Sequence, residues 1–212
     1  HGRDQKIDSS GNLVGPTGKL FKFSESFLKN YLPNSIELGR SFVQPNYQPM
    51  YNIRKGMYSL DNIWDGLGAI IVDNPDIQYF FGKITMYPQF NTEARDMILY
   101  FMRRYFPDND GLAQPFEPIE TETTTEILDE LFNGSSYEEN YKILVHEVRR
   151  RKENIPPLVN AYMNLSSTMR TFGTAINYGF GNVEETGIMV TIRDINNMKK
   201  TRHLDSYRNG NA

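Results

Sequence analysis

Cysteine is absent from this 212-residue chain, and histidine is scarce, occurring only as His1, His146 and His203. The first absence removes disulfides, thiolate metal sites and cysteine nucleophiles together. The scarcity of both ligand types turns the reading away from zinc, and no metal site is expected. Neither G-x-S-x-G nor H-E-x-x-H occurs, so the common hydrolase layouts are missing. His146 falls one position past the apolar stripe of its expected helix and reads as a boundary residue. No apolar run comes near the ~20 residues that a spanning helix needs. The start, HGRDQKIDSSGN, lacks the apolar core of a signal peptide. It also lacks an initiator Met, so residue 1 is expected to be a boundary rather than the natural beginning. A basic surplus is missing too: the formal net charge of −3 gives no reason to expect a nucleic-acid partner. The lack of cysteine is compatible with a reducing, cytoplasmic setting.

What is present is enough for a substantial core in one domain, with 39% apolar residues, 13 Tyr and 13 Phe. The chain is organised around Ser35–Val72. Ser35–Val43 is expected to be a central strand, with Ile36, Leu38 and Phe42 alternating along one face. Pro45 and Pro49 bar its simple continuation. Arg54, Lys55 and Gly56 follow, then Ser59 as N-cap of a helix from Leu60 to Val72. Ile63, Leu67, Ile70 and Ile71, widened by Trp64, form its apolar face. A strand feeding a cationic, glycine-bearing turn at a helix N-terminus suits an anion, because free N–H groups, helix dipole and side-chain charge all favour it. Arg40 falls on the apolar face of the strand, where an unpaired charge is costly. It either pairs with a carboxylate or holds an anionic ligand group. Glu37 lies at odd spacing from Arg40, so a regular strand puts them on opposite faces and a bulge near Gly39 would bring them together.

Elsewhere the elements follow from period and punctuation. Residues 1–16 read as loop, and Gly15-Pro-Thr-Gly-Lys19 as a plain turn rather than a phosphate loop. A short helix is expected at Ser24–Tyr31, a strand at Ile77–Met86, and a helix at Asn91–Phe106 with Met97, Ile98, Phe101, Met102 and Tyr105 inward. Arg95, Asp96, Arg103 and Arg104 are expected mostly on the opposite side. Gly82 is expected to mark a bulge or a close approach by ligand. Asp108–Glu117 partly mimics a calcium loop, but Phe106 holds its first ligand position. Pro115–Thr125 reads as an acidic linker, followed by helices at Thr125–Phe132, at Ser136–Lys152, and from Pro156 to about Arg170. Thr171–Gly181 is expected as a loop or edge strand and Gly187–Asp194 as the last strand. Strand and helix alternate, which favours an α/β layer arrangement.

Glu37-Leu38-Gly39-Arg40-Ser41, then Val43-x-Pro45-x-Tyr47 and Arg54-Lys55-Gly56, resembles the acyl-carrier-binding core of GNAT-type acyltransferases. More narrowly it is similar to the bacterial branch that makes ornithine and glycine lipids, often labelled hemolysin-like and related to acyl-homoserine-lactone synthases. Gly82-Lys83-Ile84 and the segment Ile155–Tyr207 extend the likeness. Where the wider superfamily has a compact Gln/Arg-x-x-Gly-x-Gly/Ala, this turn is longer and has the single glycine Gly56. The resemblance implies a single GNAT-like domain over 1–212 of α/β (α+β) class, a mixed central sheet flanked by helices, with 115–153 as a helical insertion and 155–212 as the C-terminal part of the fold. It also implies that N-terminal elements of that fold lie outside the chain. The implied activity is transfer of a long-chain acyl group, 3-hydroxy forms included, from acyl carrier protein to the amino group of a small amino acid such as glycine or ornithine. The implied site has Glu37 as base and Arg40 beside it. Gly39, Ser41 and Val43 would lie along the donor arm, with Arg54, Lys55 and Gly56 at its phosphate. No tightly bound cofactor is implied. The donor is the acyl-phosphopantetheine of the carrier protein, or acyl-CoA, and peripheral membrane contact follows from a lipid product. The basic run Arg149–Lys152 is either ordinary helix-end charge or a docking patch for an acidic carrier. Two other functions stay open: a non-catalytic membrane-active or binding protein, and a homoserine-lactone-type signal synthase.

Overall fold

The computed structural model describes residues 1–39, 44–47 and 64–201. Where a loop is expected, the chain opens with a small hairpin of β1 (Lys6–Ile7) and β2 (Leu13–Val14). Asp8 builds its turn by accepting from the N–H groups of Ser10 and Asn12, both at 2.9 Å. β3 (Phe21–Phe23) leads into a helical turn that is π-type over Phe27–Tyr31 and passes into a 3-10 turn at Leu32–Asn34. β4 (Ser35–Leu38) follows, then α1, helical over 64–73, and β5 (Tyr79–Met86). After these come α2 (Thr92–Tyr105), β6 (Ala113–Pro115), α3 (Thr125–Leu131) and α4 (Tyr137–Arg150). α5 (Pro157–Met163), β7 (Arg170–Asn177), β8 (Val183–Thr191) and α6 (Asn197–Lys200) complete the described chain.

The fold is of the mixed α/β class. Its main sheet has the order β4-β5-β8-β7, parallel between β4 and β5 and antiparallel elsewhere. β3 and β6 pair separately. The alternation along β4 works as expected: Ile36 and Leu38 pack on the core beneath the helices, which also holds Phe80, Ile84, Met97, Phe101 and Val190. Trp64 of α1 is buried in that core, with Leu67 and Ile71 packed against it. The other sheet face carries a second, aromatic core in which Phe21, Phe23 and Phe27 meet Phe81 and Phe172.

Three expectations need correction. Among the described residues β4 pairs on one side only, with β5, which puts it at the edge of the described sheet where a central strand is expected. α5 stops at Met163 rather than running to Arg170, and the chain re-enters the sheet at Arg170, where β7 pairs with β8. Asn164 takes the C-cap position, its side-chain amide donating to the Asn160 carbonyl at 2.8 Å, and Ser166 receives the Thr168 N–H at 3.2 Å. The third concerns Arg95 and Asp96, which are buried rather than solvated. Asp96 accepts from Arg95 Nε at 2.9 Å and from the Thr123 N–H at 2.7 Å, while Arg95 Nη1 donates to Glu184 at 2.8 Å. This ties α2 to β8 and to the acidic linker.

Gly82 marks no bulge. It pairs with Leu38, and a Cβ built on it would stand 2.3 Å from the Leu38 carbonyl oxygen. Gly82→Ala is therefore expected to prise β4 from β5 and lower stability by about 1–3 kcal/mol, read as a lower urea midpoint. Gly66→Ala, in α1 where an added Cβ meets nothing within 4 Å, should instead raise the midpoint slightly.

Candidate active site

β4 presents Glu37 on the face opposite Ile36 and Leu38, in register with Phe81 of β5. Its carboxylate is half-buried and held by the turn that the sequence marks as Gly15-Pro-Thr-Gly. Oε1 accepts from the Thr17 N–H at 3.1 Å and the Thr17 hydroxyl at 2.5 Å. Oε2 accepts from the Gln5 side-chain amide. Glu37 is thus not a bare exposed strand position, and among the described residues it has no ion-pair partner; it is a hydrogen-bonded carboxylate. Gly39, just beyond the strand, is exposed, and an added Cβ there would meet nothing within 4 Å.

One step along the register from Gly82 stands Lys83. Its ammonium donates to the Pro16 carbonyl at 3.0 Å and to Glu185 Oε2 at 2.6 Å. Asn177 donates to the same Glu185 oxygen at 2.7 Å. The Lys83 and Glu185 side chains are only 11% and 8% exposed, so each charge is shielded by the other. The Gln5 and Thr17 contacts to Glu37, and the Lys83, Glu185 and Asn177 cluster that holds the turn, were not anticipated. The Gly-Pro-Thr-Gly turn was the available signal, since its two glycines frame a hydroxyl residue that is 1% exposed.

Arg40, Ser41, Val43, Arg54, Lys55 and Gly56 lie outside the described residues, as do the expected bulge and the helix start at Leu60. In the calcium-like loop, Asp108 Oδ2 accepts from the N–H groups of Leu112 at 2.5 Å and Ala113 at 3.1 Å. Arg170 pairs with Asp110 at 2.5 Å. Among the described residues no group of three or more His, Asp or Glu is placed to hold a metal. In the basic run at the end of α4, Arg150 and Arg151 both donate to Glu147, and Arg151 also reaches Glu93 at 2.7 Å. Burial would push the Glu147 carboxyl up, but hydrogen bonds from Arg150, Arg151 and His146 outweigh it and hold the group below the usual carboxylate range.

A cavity of about 380 Å³ opens at the other edge of the sheet, between α2, β6 and β7, lined by Arg103, Ile119, Thr171, Thr174 and Thr186 among others. It does not contain Glu37, from which β5 and β8 separate it. Volume and chemistry thus lie apart, and the oriented carboxylate, not the cavity, marks the candidate site. None of the described helices is long and apolar enough to cross a membrane.

The architecture is that of a mixed α/β domain with an oriented carboxylate at the end of a parallel strand pair. The chain is similar to two curated proteins, both named glycine N(alpha)-acyltransferase. It is 53% identical over 206 residues to the one from Phocaeicola vulgatus, covering 97% of this chain and 63% of that protein. It is 51% identical over 206 residues to the one from Bacteroides thetaiotaomicron, covering 97% of this chain and 61% of that protein. The chain therefore spans about six-tenths of the length of the relatives it matches. No family model matches the chain, and no solved structure matches it.

Proposed function

We propose that the protein is an N-acyltransferase that moves a long-chain acyl group, 3-hydroxy acyl included, from acyl carrier protein to the amino group of glycine. The observation that carries this reading is the likeness, along nearly the whole chain, to proteins named for glycine Nα-acylation. That likeness favours glycine over ornithine as acceptor. It also favours an enzyme over a membrane-lytic protein, and an amino acid over a homoserine-lactone precursor.

In the proposed reaction Glu37 takes a proton from the glycine ammonium, and the freed amine attacks the thioester carbonyl. The C–N bond forms, the C–S bond breaks, and the phosphopantetheine thiol leaves with a proton. No covalent enzyme intermediate is needed. The backbone along Gly39, Ser41 and Val43 would follow the thioester arm and polarise its carbonyl. Arg54 and Lys55, with Gly56, would meet the arm's phosphate, and Arg40 would pair with an anionic group of the ligands. On this GNAT-like reading the donor arrives on a carrier protein in the cytoplasm, and the product leaves toward a membrane as a precursor of glycine lipid.

The test uses the full-length protein, with acyl carrier protein and acyl-CoA as rival donors and glycine and ornithine as rival acceptors. The expected product by mass spectrometry is N-acylglycine formed with the carrier donor. Acylated ornithine alone would reassign the acceptor, and no acylated amino acid with either donor would remove the reading.

A further inference from the structure

We infer that Thr17 is a positioning residue for Glu37, held in place by the Lys83–Glu185 ion pair through the turn Gly15–Gly18. The inference rests on the proposed role of Glu37 as base.

Thr17 is polar yet 1% exposed, and both its N–H and its hydroxyl donate to the single oxygen Glu37 Oε1. Two donors on one oxygen fix the carboxylate in rotation as well as in distance, which a lone contact does not do. The turn itself is pinned from two further sides. Gly18 lies so close to β2 that an added Cβ would stand 1.8 Å from the Leu13 carbonyl oxygen, so no other residue fits. Lys83 reaches the Pro16 carbonyl at 3.0 Å and is itself anchored by Glu185 at 2.6 Å. A chain of contacts therefore runs from β8 through β5 to the turn, and from the turn to the carboxylate on β4. Without it, Glu37 would keep only the Gln5 amide on Oε2, and a base held by one contact samples more orientations and loses productive geometry.

The experiment compares Thr17→Val, which keeps the backbone N–H and side-chain shape but not the hydroxyl, with Thr17→Ser and Glu37→Gln, all in full-length protein. For Thr17→Val the expected result is a fall in kcat of roughly ten- to a hundredfold. KM for glycine and for the donor should stay within about twofold, since the residue is argued to orient a base rather than bind substrate. Thr17→Ser should restore the rate. A change in melting alone, with kcat as in the wild type, would overturn the inference and leave Thr17 a packing residue. Thr17→Ala replaces the valine variant should the latter not fold. If Glu37→Gln is impaired while Thr17→Val is not, the clamp fails and the base survives. Normal turnover by Glu37→Gln removes both.

Discussion

Glu37→Gln in the full-length protein is expected to lower turnover on the order of a hundredfold or more, the usual scale for loss of a general base, while melting hardly moves. The small stability effect follows from the surroundings of the carboxylate. The amide oxygen of the new Gln can keep both Thr17 donors on one side. On the other side its N–H₂ would face the Gln5 amide nitrogen, an unfavourable meeting of donors. Gln5 Oε1, however, is buried and has no hydrogen-bond partner among the described residues, so rotating the Gln5 amide presents that oxygen to the new donor. One unpartnered group is exchanged for another, and the net cost is small. Glu37→Leu offers no such exchange. It strands the two Thr17 donors and the Gln5 amide together, and should melt measurably lower. The turnover defect of Glu37→Gln should shrink as pH rises from about 6.5 to 9, because more of the amine acceptor is then already neutral. A defect of constant size across that range would point to lost geometry rather than lost proton transfer. Near-normal turnover throughout would show that the carboxylate serves the turn and not the reaction.

How far the site was legible depends on the range of the interactions that build it. β4 and α2 could be read because local period decides them: Ile36 and Leu38 alternate into one core, and Met97, Ile98, Phe101 and Met102 recur on one helix face. Glu37 could be singled out by resemblance, but its partners could not, because Thr17 is 20 residues earlier and Gln5 is 32. No local pattern joins the residues flanking a short hairpin to a later strand. β1 and β2 are two residues each, too short for any alternation to register. Arg95 and Asp96 were misplaced for a related reason. A helix face bearing charge is normally solvated, and distant partners, Glu184 at 89 residues from Arg95 and Thr123 at 27 from Asp96, turn that face into a buried network.

That network sets the largest stability effect expected in this protein. Asp96 has no exposed surface, and it accepts from Arg95 and from the Thr123 N–H. Asp96→Ala removes both acceptors at once. Arg95, itself 8% exposed, keeps Glu184 as its close partner, and the Thr123 N–H loses its acceptor. Arg95 Nε and the Thr123 N–H are both left without this acceptor, at about 1–3 kcal/mol for each buried group, so a loss of about 3–5 kcal/mol is expected. For a domain of this size that corresponds to a fall in melting temperature of roughly 6–20 °C. The surface pair Lys29–Glu25, whose side chains are 70% and 78% exposed, provides the contrast, and Lys29→Ala should leave melting almost unchanged. Turnover per folded molecule of Asp96→Ala should stay near the wild-type value below its melting point. The network lies under α2, on the sheet face opposite Glu37, and shares no hydrogen bond with the Gln5, Thr17 and Lys83 contacts. Thermal melting followed by assay at a temperature where all three proteins are folded separates the two effects. A loss of only a degree or two for Asp96→Ala would mean that water enters to replace the carboxylate. A loss of turnover without a loss of melting would instead couple this network to the site across the sheet.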